Sequence, residues 1–302
     1  MAITAFTAAT SAVDAPKRRS KVALFLLLPG LLYLALFFLV PLVSLVITSL
    51  QVPDPAVFGR YTTAFHIQMY GEVIAEYGTQ ILRSFFYALL STIFALLFSY
   101  PLAYFIGVKV RRWPILQGLM IVLVIAPFFI SFLLRTLAWK SILSDDGVVV
   151  SALKGLSLLG SQDHFTGTPA AVVFGLTYNF IPFMCLPLYT TLERLDVRYL
   201  EAASDLYSRP FHTFRTVTLP LSLPGIVSGT LLTFIPAAGD YVNASSQFLG
   251  GSSSTMIGNV IQSNFLVQLN YPAAAALSII LMAIILVIVA VYVKRSGTDD
   301  LV

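Results

Sequence analysis

Long uncharged apolar stretches alternate with short charged ones along this chain. They lie between Lys21 and Asp54, Arg83 and Lys109, Arg112 and Arg135, Asp163 and Glu193, Arg215 and Asp240, and from Tyr271 to Val293. About 20 apolar residues cross a hydrocarbon layer of ~30 Å, and every stretch is at least that long. Backbone groups in lipid must be satisfied within their own segment, so each stretch is expected to be a helix. The pattern predicts an all-α polytopic membrane protein with spans over 22–50, 82–107, 114–138, 169–192, 221–243 and 270–293.

Composition agrees. Of 302 residues, 58% are hydrophobic and 11% are charged, against about 25% charged in soluble domains. The net charge of +4 does not point to nucleic acid, because the basic residues form short clusters between apolar blocks. The first block follows Lys17-Arg18-Arg19-Ser20-Lys21. It is too long for a cleavable signal and has no small-residue cleavage site after it, so it reads as a retained helix behind a polar tail of residues 1–20. With the N-terminus inside, thirteen of the 18 Lys and Arg fall on the inside, in clusters around Lys21, Arg111, Arg198 and Lys294. The positive-inside rule then places both termini in the cytoplasm, with a C-terminal tail over 297–302. Outside loops are expected over 51–80, 139–168 and 244–269, with turn signals at Pro53-Asp54-Pro55 and Asp145-Asp146-Gly147.

The inside loop over 193–220 is unusually long and patterned. Asp196 can cap a helix in which Leu195, Tyr199, Ala202, Ala203 and Leu206 share a face. Pro210 ends that helix, and Ser208 is expected to cap a second one carrying Phe211, Phe214 and Val217. Leu219-Pro220 should break it before the fifth span. Two readings stand for this pair. It lies on lipid headgroups through Arg194, Arg198, Arg209 and Arg215, or it docks a cytosolic partner. Small Ala202 and Ala203 permit close approach, and Glu201 suits a basic groove better than an anionic membrane.

Several chemistries have no signature. No Gly-Lys-Ser/Thr loop offers a phosphate cradle, and neither His-Glu-x-x-His nor Gly-x-Ser-x-Gly occurs. The histidines His66, His164 and His212 lie in separate loops, so no metal or catalytic residues are assigned. The lone Cys185 makes no internal disulfide. The absence of an internal repeat weighs against an inverted-repeat secondary transporter.

Glu201-Ala202-Ala203, Asp205-Leu206, Leu219-Pro220-Leu221 and Pro224-Gly225-Ile226 resemble the EAA loop of ABC-importer permeases. Residues 128–146, 182–196 and 239–265 look like permeases of the spermidine/putrescine importers. One departure is Tyr207, where the family usually has a glycine suited to a left-handed turn. It implies a different turn geometry or a filled partner groove. The resemblance implies the type I ABC importer permease fold in a bacterial cytoplasmic membrane. Its loop would be a coupling helix, with Glu201, Ala202, Ala203, Asp205, Leu206 and Tyr207 meeting an ATPase. The implied partners are a second homologous permease of different sequence, two ATPase subunits that bind ATP and Mg, and an external binding protein. This chain itself would bind no cofactor.

A polycation needs acids and aromatic faces along its route. Asp240 and Tyr241 supply one of each, or Asp240 is simply solvated at the outer interface. Trp139 is a further pathway candidate or an interface anchor. Tyr178 and Asn179 are pathway candidates or hydrogen-bond a neighbouring helix. Arg135 would repel a cation and reads as structural, while Gly225 and Gly229 have the spacing of close helix packing. The leading reading is a polyamine permease. The others are the same machine for iron, an opine or an amino-acid derivative, and an ion-coupled secondary transporter.

Overall fold

The computed structural model describes residues 21–53, 61–157, 160 and 163–295. The expected tails 1–20 and 297–302, and Asp54-Pro55 of the first turn signal, lie outside the described residues. The chain forms two compact units, with the boundary between Leu45 and Val46. Helix α1 covers Lys21–Leu34, a π-helical turn Ala35–Leu39 and Val40–Ser49, along the stretch expected as the first span.

In the second unit, short strands β1 (Gln51–Pro53) and β2 (Tyr61–Thr63) pair antiparallel, with Val52 opposite Thr62. Helix α2 is Gln68–Tyr104 and runs into a π-helical turn, Phe105–Lys109. Then come α3 (Pro114–Ile125), α4 (Phe132–Leu143), α5 (Val148–Gly155), α6 (Pro169–Arg194), α7 (Val197–Asp205) and α8 (Pro210–Leu221). The series ends with α9 (Leu223–Ala238), α10 (Ile257–Leu266) and α11 (Tyr271–Arg295). Among the described residues, four helices are long and apolar enough to cross a membrane unbroken, and two bent pairs bring the number to six.

The bends correct the expected spans. The third is not one rod over 114–138, because it turns by 94° after Phe129. Pro127 cannot donate to the turn before it, and the chain tightens into a 3-10 segment, Ala126–Phe129, before Ile130 goes extended. The fifth span ends at Ala238 rather than 243, and the bend before it, 65°, falls at Ser222 rather than at Leu219-Pro220. Pro220 lies inside α8, and Pro224 in the first turn of α9 forces the break between them. The expected outer loop 51–80 is helical from Gln68. Its charges hid an amphipathic face, in which Val73 and Ile81 pack on Ile257, Val260, Ala276 and Leu277 of α10 and α11.

The centre of this unit is α2, α6 and α9. At one end Tyr87 and Ala88 of α2 meet Val172, Leu176 and Phe180 of α6 and Ala237 and Ala238 of α9. At the other, Ala95, Tyr100 and Ala103 meet Met184, Leu188 and Leu192. Apolar burial gains little in lipid, so close approach through small residues must hold such helices together. Gly225 and Gly229 serve this purpose as expected. A Cβ on Gly225 would fall 2.6 Å from Thr191 Oγ1, and one on Gly229 2.8 Å from Met184 Sδ.

Candidate functional site

The residues singled out by sequence gather at the two ends of α9. At its start lies the 193–222 loop. Asp196 caps α7 as expected, its carboxylate accepting from the Arg198 backbone N–H at 3.0 Å. Helix α7 ends in a Schellman turn: the Tyr207 N–H donates to Ser204 O at 2.9 Å and the Ser208 N–H to Ala203 O at 3.0 Å. That turn needs a left-handed residue, and Tyr207 takes the conformation itself, with φ 55°. The turn geometry at Tyr207 is therefore the left-handed one that a glycine would adopt. Ser208 is not the cap of α8: the N-cap position belongs to Arg209, and the Ser208 oxygen accepts from the Thr213 hydroxyl at 2.9 Å.

Both ends of this loop are anchored. Arg111 Nη1 donates to Leu195 O at 3.0 Å, and Leu195 is buried in the body rather than on the helix face. The Tyr100 hydroxyl lies 2.8 Å from Ser222 Oγ, and its ring stacks edge-on with Phe214 at 5.4 Å. Leu200 and Ser204 turn toward the end of α2. The opposite side of α7, with Tyr199, Ala202 and Leu206, is exposed, as are Glu201 and Asp205. Tyr207 is 96% exposed.

At the far end of α9 the arrangement is reversed. Asp240 is buried, not solvated. Its Oδ2 accepts from the Asn243 N–H at 2.8 Å and its Oδ1 from Asn243 Nδ2 at 3.1 Å. Asn243 Oδ1 in turn accepts from Asn179 Nδ2 at 3.1 Å, and Asn179 Nδ2 also reaches Thr136 Oγ1 at 3.2 Å. Asn179 thus bonds a neighbouring helix. The loop seats deeply because its neighbours lack side chains: a Cβ on Gly175 would lie 2.6 Å from Asn243 Oδ1, and one on Gly258 2.6 Å from Asp240 O.

Trp139, one turn beyond Thr136 on α4, packs edge-on against Phe174 at 4.8 Å and Tyr178 at 5.1 Å. Asp240, Asn179, Tyr178 and Trp139 therefore come together from three separate segments. Tyr241 stands apart, half exposed, with its carbonyl accepting from Asn259 Nδ2 at 2.5 Å. Sequence reading missed Asn243 and Thr136, which carry no charge and sit in polar or apolar runs without a signature. It also read Arg135 as an end-of-span residue. Arg135 is buried, with Nε and Nη1 lacking hydrogen-bond partners and its guanidinium 5.7 Å from the Phe132 ring centre. Outside this cluster, His164 Nδ1 meets Asp145 Oδ2 at 2.7 Å, and Lys154 lies 3.6 Å from the other Asp145 oxygen.

Comparison with known proteins fits this geometry. Residues 79–296 match the family model described as binding-protein-dependent transport system inner membrane component. The chain is 35% identical over 272 residues to the spermidine/putrescine transport system permease protein PotB of Haemophilus influenzae, covering 90% of this chain and 89% of that protein. It is 34% identical over 265 residues to PotB of Escherichia coli, covering 87% and 94%. A solved bacterial ABC transporter that imports the acidic polysaccharide alginate has a chain superposing with TM-score 0.64 at 17% identity, over 93% of this chain and 96% of that one. A chain of the inward-facing MetNI methionine ABC transporter superposes with TM-score 0.52 at 17% identity, over 73% and 92%. The type I permease fold, the six-span helical architecture and the family match agree: this chain belongs to the binding-protein-dependent transport system inner membrane components and is an ABC-importer permease.

Proposed function

We propose that the chain is the permease subunit of an ATP-driven importer that carries a polyamine of the spermidine/putrescine class, delivered by an external binding protein. The observation that carries the coupling part is the outward side of α7. Tyr199, Leu206 and Tyr207 are exposed beside Glu201 and Asp205 on a helix inside a loop that is tied at both ends to the body. A helix held this way passes a push on its exposed side to α2 and α9. The partner is an ATPase subunit with an apolar, basic-edged cleft, and ATP and Mg belong to it. The full machine has two such subunits and a second, different permease. The 193–222 end and both termini face the cytoplasm. Tyr241 and the Trp139–Tyr178 pair offer aromatic faces to a cation, Asp240 and Asn179 hold the loop beside them, and the Asp240 carboxylate adds negative potential.

The test is copurification and uptake of the assembled transporter. Glu201→Ala is expected to abolish ATP-coupled uptake while leaving membrane insertion intact, and normal uptake would remove the coupling role. Asp240→Asn is expected to lower uptake of labelled spermidine, and unchanged uptake would take Asp240 out of the pathway.

One observation favours a second reading of the cargo. Arg135, four residues from Trp139, is a buried guanidinium with two unsatisfied nitrogens. A buried cation repels a polyamine and attracts a carboxylate, as an opine or an amino-acid derivative would supply. Competition of labelled spermidine uptake by such acids decides between them.

A further inference from the structure

A cavity of 820 Å³ lies between the end of α2 and the α7–α8 loop. Its lining combines two kinds of surface. Lys109 and Arg112 bring positive charge, and Ser204, Ser208 and Thr213 bring hydroxyls, while Phe105, Trp113 and Phe214 bring apolar area. Among the described residues, no carboxylate lines it. Among the described residues, neither Lys109 nor Arg112 is in an ion pair. The Arg112 guanidinium stacks 4.2 Å above the Trp113 ring, which fixes its position and leaves its edges open to an acceptor. Thr213 donates to Ser208 Oγ, so the Ser208 hydrogen remains available. Two walls are π-helical turns, Phe105–Lys109 and Phe214–Thr218, a backbone form found often at functional sites.

The place of the cavity limits what fits. Lys109 closes the apolar run of α2, and Pro114 opens that of α3. The residues between them are at the edge of the hydrocarbon, where phosphates of lipid headgroups lie. A phosphate joined to an apolar chain matches both halves of the lining, and basic pockets between spans recognise such groups. A soluble phosphate would use only the charged half.

We propose that this cavity binds the phosphate and headgroup of an anionic phospholipid. The lipid bridges the end of α2 to Ser204 in the last turn of α7 and Ser208 just after it, and so fixes the angle at which α7 presents its Tyr199 and Leu206 side. The geometry is independent of which leaflet this end faces and of the solute carried.

The test reads lipid retention on the purified, assembled transporter by native mass spectrometry during titration with phosphatidylglycerol. Lys109→Gln with Arg112→Gln is expected to weaken retention roughly 25-fold, about fivefold for each charge removed. The charge-keeping pair Lys109→Arg with Arg112→Lys should retain the lipid. Ser204→Leu, which fills the cavity while leaving both cations, should also lose it, and this variant decides the matter if the double neutral one fails to assemble. Equal retention by the neutral or the filled variant overturns the proposal. So does equal retention of phosphatidylethanolamine, or displacement of the lipid by inorganic phosphate. Because retention is measured without transport, failure here leaves the importer reading untouched, and failure of uptake leaves this result untouched.

Discussion

The two ends of α9 are built in opposite ways. Before its first residue, the α7–α8 loop leaves Leu206, Tyr207 and Phe211 exposed and holds Tyr207 in a left-handed conformation. After its last residue, the 239–250 loop buries Asp240 and Asn243 and meets both carboxylate oxygens with donors. An exposed apolar helix side is incomplete until something covers it. A buried carboxylate is tolerable only when its partners are already present. One end therefore leaves apolar surface uncovered, and the other is finished within the chain. The difference is the one the proposed coupling role requires: a helix open to contact at one end and fixed in geometry at the other.

The comparison breaks most sharply at Asn243. Asn243→Leu leaves Asp240 Oδ1 without its side-chain donor and takes from Asn179 one of its two acceptors, leaving Thr136 Oγ1. A loss of about 3 kcal/mol is expected, read as a fall in the melting temperature of the purified protein. A loss near zero would mean that the network is not what holds this loop. Tyr207→Gly acts in the other direction and less strongly. A side chain in the left-handed region is disfavoured by roughly 1 kcal/mol, so the glycine variant should tighten the turn and slow hydrogen exchange of the Tyr207 and Ser208 amides about fivefold. Faster exchange would show that Tyr207 is not strained. Leu206→Ser should change stability by less than about 0.5 kcal/mol, as exposed positions do, yet it should cut the amount of ATPase that copurifies. Undiminished copurification would separate the exposed side of α7 from partner binding.

The smallest effect concerns the loops that brace the finished end. Lys140 Nζ donates to Gln247 O at 2.7 Å, and the Gly167 N–H to Leu249 O at 2.9 Å. Nearby, the hydrogen bond from His164 holds the Asp145 carboxyl below its ordinary value of 3.8, with Lys154 adding to the effect and desolvation opposing it. A carboxyl lowered in the folded state adds stability above its unfolded value, and that contribution fades as pH falls through the folded value. Limited pepsin digestion of the 144–168 region should therefore quicken as pH drops below 3.8. In His164→Ala most of that extra acid sensitivity should disappear, Lys154 keeping the smaller part, and its undiminished persistence would assign the sensitivity elsewhere.

Much of this was legible in the chain itself, for identifiable reasons. Helices α6 and α11 are continuous apolar runs, and their ends follow from where charge returns, at Arg194 and Lys294. The Asp196 cap and the Gly225–Gly229 packing face follow from local spacing. The EAA-like motif around Glu201 marked the loop that the fold leaves exposed. Other features were not legible. The 94° bend after Phe129 interrupts no hydropathy pattern, because extended Ile130 is as apolar as the helices around it. The start of α2 was hidden because Glu72 and Glu76 look like loop residues until α10 and α11 cover Val73 and Ile81.

Sequence by itself determined the solvent, the succession of apolar segments and the loop that carries the family motif, since each depends on periodicity and charge along one segment. Tertiary structure alone decided that Asp240 is enclosed rather than solvated, that Asn179 and Thr136 belong to its network, and that Lys109, Arg112 and Ser204 share a cavity. Those facts depend on segments far apart in the chain meeting within a few ångströms. Burial and hydrogen-bond satisfaction are properties of that meeting, and no single segment contains them.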